Sequence, residues 1–280
     1  MSGKYEHAPT ETVDVGGAKF AYRQLGPETR VPVIALNHLG AVLDNWDPRV
    51  IDGIAAKRRV IAFDNRGIGA SGGSTPTSVE AMAHDAIAFI RALGFDQVDL
   101  LGFSLGGMVA QVIAQEEPQL VRKMILAGTG PAGGEGIDKV TRITIREMLR
   151  GFLTFKDPKY YLFFTQTPNG RMAAREFLER LKERTEDRDK RISPISFRAQ
   201  LKAIHAWGTQ RPQDLSTVQR PVLVSNGDQD RMVPSSNTVD LARRLPNGRP
   251  LELYPDAGHG GIFQYHREFV PAVLEFLEAE

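Results

Sequence analysis

The chain has 280 residues, enough for one α/β domain with an insertion and a sizeable core, and its apolar (41%) and charged (25%) fractions are those of a globular protein. A formal charge of +1 gives no long-range pull toward nucleic acid or anionic lipid, so neither is expected as a partner. The absence of cysteine excludes disulfides, thiolate metal sites and a cysteine nucleophile; with a polar start over Met1 to Thr10 and no run of membrane-spanning length, this predicts a soluble cytoplasmic protein.

Val13-Asp14-Val15 and Lys19-Phe20-Ala21-Tyr22 alternate around Gly16-Gly17 and predict an antiparallel hairpin. Short β-branched or apolar runs then recur at Val31 to Leu36, Val60 to Phe63, Val98 to Leu101, Met124 to Ala127, Val222 to Ser225 and Leu251 to Tyr254. Between two of them Thr77-Ser78-Val79-Glu80 reads as a capping box, Met82, Ala86, Ile87, Phe89, Ile90 and Leu93 form an apolar stripe, and Gly94 stops the helix. Strand alternating with helix predicts an α/β fold with a doubly wound, mostly parallel sheet.

That rhythm breaks from Pro131 to Arg220, where helical stretches such as Ile143 to Leu153 and Arg175 to Arg188 dominate. A helical lid over 131–212 is therefore expected, inserted into a core formed by 1–130 and 213–280. Its Tyr160-Tyr161-Leu162-Phe163-Phe164 cluster is expected to be mostly ordinary packing with some rings lining a pocket. The mixed charges from Arg175 to Arg191 read as a solvated helix face with local ion pairs and no partner.

Chemistry concentrates at Gly102-Phe103-Ser104-Leu105-Gly106, directly after the run Val98 to Leu101. A serine between two glycines on a sharp strand-to-helix turn has an exposed hydroxyl and a strained backbone, the arrangement of a nucleophile. A hydroxyl needs a base, and imidazole titrates near neutrality. Of six histidines, His7 lies in the polar terminus, His84 in the first long helix, His205 in the insertion and His266 in the C-terminal helical stretch. His259, in Asp256-Ala257-Gly258-His259-Gly260-Gly261 after a strand, is placed where open α/β sheets bind ligands.

The imidazole needs an acid to hold its tautomer, and Asp228 and Asp230 both follow Val222 to Ser225. With Pro234 opening the next helix, Asp230 falls in the middle of the loop and is the better candidate. Asp228 beside Gly227, like Asp256, has the alternative role of accepting turn amides.

The order Ser104, Asp230, His259, with the alternation and the lid, resembles the α/β-hydrolase family over nearly the whole chain. Asp64-Asn65-Arg66-Gly67-Ile68-Gly69-Ala70-Ser71 resembles the family's D-x-R-G-x-G-x-S segment. Phe103 to Met108 is similar to the elbow of lactonases, cofactor-free haloperoxidases and esterases, and Gly227 to Pro234 to the segment that presents the acid. The resemblance implies a carboxylic ester or lactone hydrolase that acts through an acyl-enzyme on a small-molecule ester-like substrate, with no metal and no organic cofactor. Carbon–carbon bond hydrolysis of vinylogous diketones, haloperoxidase or perhydrolase activity, and a ligand-binding receptor with a retained triad are the alternatives.

The family's oxyanion hole uses the amide after the elbow serine, here Leu105, and a second from a His-Gly-x-Pro loop. This chain has Asn37-His38-Leu39-Gly40 there, with no His-Gly pair and no proline. Counting back from Trp46, which resembles the family's aromatic in that loop, puts Leu39 at the donor position; a shift of one residue chooses Gly40. His38, Gly40 and Trp46 are expected at the pocket. Oligomeric state is left open.

Overall fold

Glu11–Val15 (β1) and Ala18–Leu25 (β2) fold back on each other through Gly16 and Gly17, at φ 59° and 83°, the two left-handed positions that a two-residue hairpin turn requires. The register pairs Val13 with Phe20. In the computed structural model, which describes residues 3–250 and 253–279, this hairpin is the edge of an eight-stranded sheet of order β1-β2-β4-β3-β5-β6-β7-β8. The other strands are Val33–Leu36 (β3), Val60–Phe63 (β4), Val98–Phe103 (β5), Val121–Ala127 (β6), Val222–Ser225 (β7) and Gly248–Pro250 (β8). β1, β2 and β4 are joined antiparallel; from β4 to β8 every pairing is parallel. The doubly wound, mostly parallel sheet expected from the sequence is what the chain forms.

The helices are Pro48–Ala55 (α1), Val79–Ala92 (α2), Leu105–Glu116 (α3), Val140–Thr154 (α4), Lys159–Leu162 (α5), Pro168–Arg180 (α6), Pro194–Thr209 (α7), Ser236–Arg244 (α8), Gly261–Gln264 (α9) and His266–Glu278 (α10). Alternation along the strands sends successive side chains to opposite faces. Ile34, Leu36, Val98 and Leu100 pack with Met82, Phe89 and Val112 of α2 and α3, whereas Val33, Ala35, Leu101 and Phe103 pack with Val50, Ile54, Phe269 and Val273 of α1 and α10. Burial on both faces is why β3, β4 and β7 read as near-continuous apolar runs. Three helices begin at proline behind a capping side chain: Asp47, Thr167 and Ser193 accept amides of Arg49, Gly170 and Ser196. Among the described residues no helix is long and apolar enough to cross a membrane.

Chain order places β3 between β4 and β5, so the connections leaving β3 and β5 diverge and open a crevice at their carboxyl ends. Between β6 and β7 the chain forms α4 to α7 and no strand.

Several local expectations shift. Ser78, not Thr77, caps α2 and accepts the Ala81 amide, leaving Glu80 to bind Gln210. Pro234 lies in a turn two residues ahead of α8 rather than opening it. Of the expected strand Leu251 to Tyr254, Leu251 and Glu252 lie outside the described residues; β8 forms just before them, and Tyr254 makes a parallel bridge to Gly227.

The charged run is the largest correction. The helix ends at Arg180; Lys182, Glu186, Asp187, Arg188, Lys190 and Arg191 beyond it are exposed as expected, whereas Arg180, Arg184 and Asp189 turn to partners in the core. Arg180 binds Asp47, Arg184 donates to the Ala8 carbonyl, and Asp189 meets Arg23, whose guanidinium is fully buried and also grips Asp44 at 2.7 Å. Charges so deep survive only when paired, and a helical pattern alone does not reveal pairing with distant strands.

Candidate active site

β5 runs into α3 through a single residue, Ser104, held at φ 56° and ψ −116°. A side chain in that region is strained, and the surroundings enforce it. A Cβ on Gly102 would stand 2.6 Å from the Gly107 Cα, and one on Gly106 only 2.0 Å from the Leu36 carbonyl oxygen. The Ser104 amide donates to the Ala127 carbonyl, and Thr129 Oγ1 donates to the Ser104 carbonyl at 2.8 Å. The turn is therefore tied to the end of β6 and to the loop just after it.

Ser104 Oγ lies 2.9 Å from His259 Nε2, and His259 Nδ1 lies 2.7 Å from Asp230 Oδ2. All three residues are buried. A carboxylate only accepts, so Asp230 places the proton on Nδ1 and leaves the Nε2 lone pair facing the serine hydroxyl. The second Asp230 oxygen accepts the amides of Met232 and Val233, which fixes the carboxylate's orientation. Asp228 is exposed and accepts the Ala257 amide, the turn role. Asp256 likewise sits in a turn, at φ 50°, accepting from Thr165 and Thr167. His84 pairs with Glu116 on the surface, and His205 and His266 contact backbone carbonyls away from Ser104.

The loop after β3 faces Ser104 from across the crevice. Asn37 Nδ2 donates to the Phe63 carbonyl, and Asp64 receives the amides of Leu43 and Ala70, so the segment that follows β4 staples this loop in place. Ser71 completes the staple: its hydroxyl donates to the Asp64 carbonyl and accepts the Ala21 amide. The Gly40 amide is engaged by Gln200 Oε1 at 2.8 Å. Leu105 holds the first position of α3, where an amide has no carbonyl one turn back within its own helix.

His38 is buried edge-on against Phe103 and Phe163, with ring centroids 5.4 and 5.1 Å away. Its Nδ1 donates to the Leu39 carbonyl, and burial drives its pKa down to about 3, so the ring is neutral. Trp46 does not reach the pocket as expected; its indole is buried on the far side of the loop, edge-on to Phe263.

Ser104 and His259 open onto a cavity of about 650 Å³, bounded also by His38, Leu39 and Gly40. The segment between β6 and β7 supplies much of its apolar wall through Val140, Met148, Leu162, Phe163, Phe197 and Ile204. Lys159, Arg188 and Arg191 also line it, with Asp157 and Asp189. Of the Tyr160 to Phe164 cluster, Leu162 and Phe163 reach the cavity while Tyr160, Tyr161 and Phe164 are core. Gln200, Thr129 and Met148 escape a reading of the sequence because each meets the site through a contact far along the chain, with no motif around it.

Residues 31–264 match the α/β-hydrolase fold family. An α/β-hydrolase fold protein from Chitinophaga pinensis is 38% identical and superposes with a TM-score of 0.94, covering 99% of this chain and 100% of that one. The chain is also 28% identical over 258 residues to a protein provisionally named the carbamate hydrolase RutD, from Rhizobium rhizogenes, covering 88% of this chain and 92% of that protein. It is 27% identical over 252 residues to a poly(3-hydroxyalkanoate) depolymerase from Ectopseudomonas oleovorans, covering 89% and 85%. The chain belongs to the α/β-hydrolase family.

Proposed function

We propose that this α/β-hydrolase cleaves a small carboxylic ester or lactone through an acyl-enzyme, with Ser104 as nucleophile, His259 as general base and acid, and Asp230 as the group that orients and stabilises the imidazole. The observation that carries this reading is the unbroken relay from Asp230 through His259 to Ser104, at 2.7 and 2.9 Å, ending on a strained serine that opens into a cavity with both apolar and charged walls. The compounds in the two relatives' names, carbamates and poly(3-hydroxyalkanoates), both contain a carbonyl carbon bonded to oxygen.

In the first half-reaction the Ser104 hydroxyl loses its proton to His259 Nε2 as Oγ bonds the carbonyl carbon. The tetrahedral oxyanion collapses, the bond to the leaving oxygen breaks, and that oxygen takes the proton from Nε2. Water then attacks the acyl carbon, gives its proton to Nε2, and Ser104 leaves with that proton restored. The oxyanion is held by the amides of Leu105 and Leu39, each contributing about 3 kcal/mol in such sites. Leu39 is favoured over Gly40 because the Gly40 amide already binds Gln200. The segment 131–212 acts as the lid, since α4, α5 and α7 supply the cavity's apolar wall.

The test is turnover of p-nitrophenyl butyrate and a lactone panel, with trapping of the acyl-enzyme or a fluorophosphonate adduct by mass spectrometry. The adduct is expected on Ser104. Unimpaired turnover in Ser104→Ala would sink the reading. Tight binding without turnover on the whole panel would favour a receptor, and cleavage confined to vinylogous diketones a carbon–carbon hydrolase.

A further inference from the structure

His38 to Ala41 form a tight turn: the Ala41 amide donates to the His38 carbonyl at 3.2 Å, and Gly40 has φ 75°. Leu39 before it keeps a negative φ, so the turn is of type II, which calls for glycine at its third position. Turns of type I and type II differ by about half a rotation of their central peptide, here the one that joins Leu39 to Gly40. Side chains hold that peptide at both ends. His38 Nδ1 donates to the Leu39 carbonyl at 2.9 Å, and the Gly40 amide donates to Gln200 Oε1 at 2.8 Å. The preceding amide, that of Leu39, donates to no group among the described residues, and Leu39 lines the Ser104 cavity.

Gln200 is the distant half of this clamp. It is fully buried, and the bond to Gly40 is the one hydrogen bond its side chain makes among the described residues; its Nε2 has no acceptor there. Burying a donor unpaired costs stability, and a role in fixing Gly40 accounts for an amide at this position. The helix that carries it, α7, is pinned near each end. Ser196 Oγ donates to the Gly67 carbonyl at 2.9 Å, and the buried Trp207 indole donates to the Gly130 carbonyl at 3.2 Å. Phe197, Gln200 and Ile204 follow at helical spacing on the face turned to the site: Phe197 and Ile204 line the cavity, and a Cβ on Gly40 would stand 3.0 Å from the Phe197 ring. From the other side, β3 and the bond from Asn37 to the Phe63 carbonyl anchor the chain just ahead of the turn.

We propose that Gln200 is a positioning residue for the oxyanion hole: by holding the Gly40 amide it locks the turn in the form that presents the Leu39 amide to the substrate oxyanion, so that the docking of α7 completes the site. The inference rests on the acyl-enzyme reading above. Gln200 does not line the cavity, so it acts through Gly40. A small displacement of an oxyanion donor weakens a bond that is steep in distance and angle. The loss falls on the transition state, because the oxygen gains its charge only there.

Gln200→Met, which keeps the length of the side chain and removes the acceptor, tests this with p-nitrophenyl butyrate and with a trifluoromethyl ketone, whose adduct with Ser104 carries the same oxyanion. The variant should lower kcat by about 10- to 100-fold with KM unchanged, and should weaken the ketone by the same factor. Far-UV circular dichroism checks its fold. A folded variant with native kcat overturns the proposal, as does one whose loss lies in KM or whose affinity for the ketone is native. If the variant fails to fold, amide NMR of the native chain decides: on formation of the adduct the Leu39 amide proton should move downfield while the Gly40 amide stays protected from exchange. A Gly40 amide that exchanges freely, or that shifts in place of Leu39, overturns the proposal. A ketone that forms no adduct with the native chain refutes the nucleophile assigned to Ser104, and the role of Gln200 falls with it; an adduct that forms and is indifferent to Gln200→Met refutes the role of Gln200 alone.

Discussion

Asp230 divides its carboxylate between the imidazole and its own loop: Oδ2 lies 2.7 Å from His259 Nδ1, while Oδ1 accepts the amides of Met232 and Val233 at 2.7 and 3.1 Å. The backbone thus prevents the carboxylate from swinging away from the ring. Asp230→Asn keeps the shape but can turn a donor toward Nδ1, favouring the wrong tautomer, so kcat should fall by about 10⁴-fold. Asp228→Asn, altering an exposed turn acceptor, should stay within a few fold. Steady-state ester hydrolysis by the two variants decides, and an equal loss in Asp228→Asn would refute the assignment.

Ser104 and His259 act as one unit in the proposed reaction, so their losses should not add. Ser104→Ala and His259→Ala should each lower kcat by about 10⁵-fold or more, and the double variant should be no slower than the worse of the two. Activities that multiply in the double variant would mean the two side chains work separately.

The elbow leaves no space for a methyl group at Gly106, where a Cβ would stand 2.0 Å from the Leu36 carbonyl oxygen, backbone that cannot rotate away. Gly106→Ala should cost about 3 kcal/mol or prevent folding, since overpacking typically costs 1–3 kcal/mol and this contact is with main chain. At Gly72 the nearest atoms are 3.7 Å off, and Gly72→Ala should change stability by less than about 1 kcal/mol. Urea denaturation of both variants measures the contrast; similar midpoints would contradict it.

His38 links stability to pH. Its pKa is about 3 when folded, because burial penalises the charged ring, against 6.5 in the unfolded chain. Between these values the unfolded state binds the extra proton, so the contribution is fully present above 6.5 and is lost as pH falls below it. The slope approaches about 1.4 kcal/mol per pH unit. His38→Asn removes it, so the stability gap between native chain and variant should narrow on acidification from neutral pH to about pH 4.5. Parallel stability curves in chemical denaturation would show that the ring is protonated in the fold.

The pair between Arg180 and Asp47 joins the segment between β6 and β7 to the start of α1. Asp47 is fully buried, caps α1 through the Arg49 amide and receives Arg180 Nη2 at 2.7 Å, while Arg180 also reaches the Phe263 carbonyl. Arg180→Met strands a buried carboxylate and should cost about 3–5 kcal/mol. Adding Asp47→Asn should recover part of that loss, because an amide needs no counter-ion and can still cap. A double variant less stable than Arg180→Met alone would disprove this account. Thermal melts of the three proteins suffice.

Much of the frame was legible because its signals are local. Val60–Phe63 and Val222–Ser225 are strands as read, since a run buried on both faces needs no alternation, and the hairpin follows from two adjacent glycines. Boundaries fared worse where neighbouring residues compete for one role, as Ser78 displaced Thr77 at the α2 cap. The charged segment misled for a different reason. A helical wheel describes a helix against water, whereas Arg180, Arg184 and Asp189 meet partners more than a hundred residues away. Trp46, expected at the pocket from its resemblance to the family's aromatic, is not in the cavity lining, because the loop's path is set by contacts with Asp64 and Asn45.

The sequence by itself determined the elbow and the chain order of the three polar residues, because backbone strain at a serine between glycines is a property of neighbouring residues. It also determined the sheet class, through the spacing of apolar runs. The place of Asp230 in its loop already favoured it over Asp228, whereas only the tertiary structure decided that Gln200 occupies the Gly40 amide and that α4 shows its apolar side to water. Each of these depends on which surfaces come within a few ångströms after the chain has closed on itself, and such distances are set by packing across the whole molecule, with no trace in the spacing of residues along it.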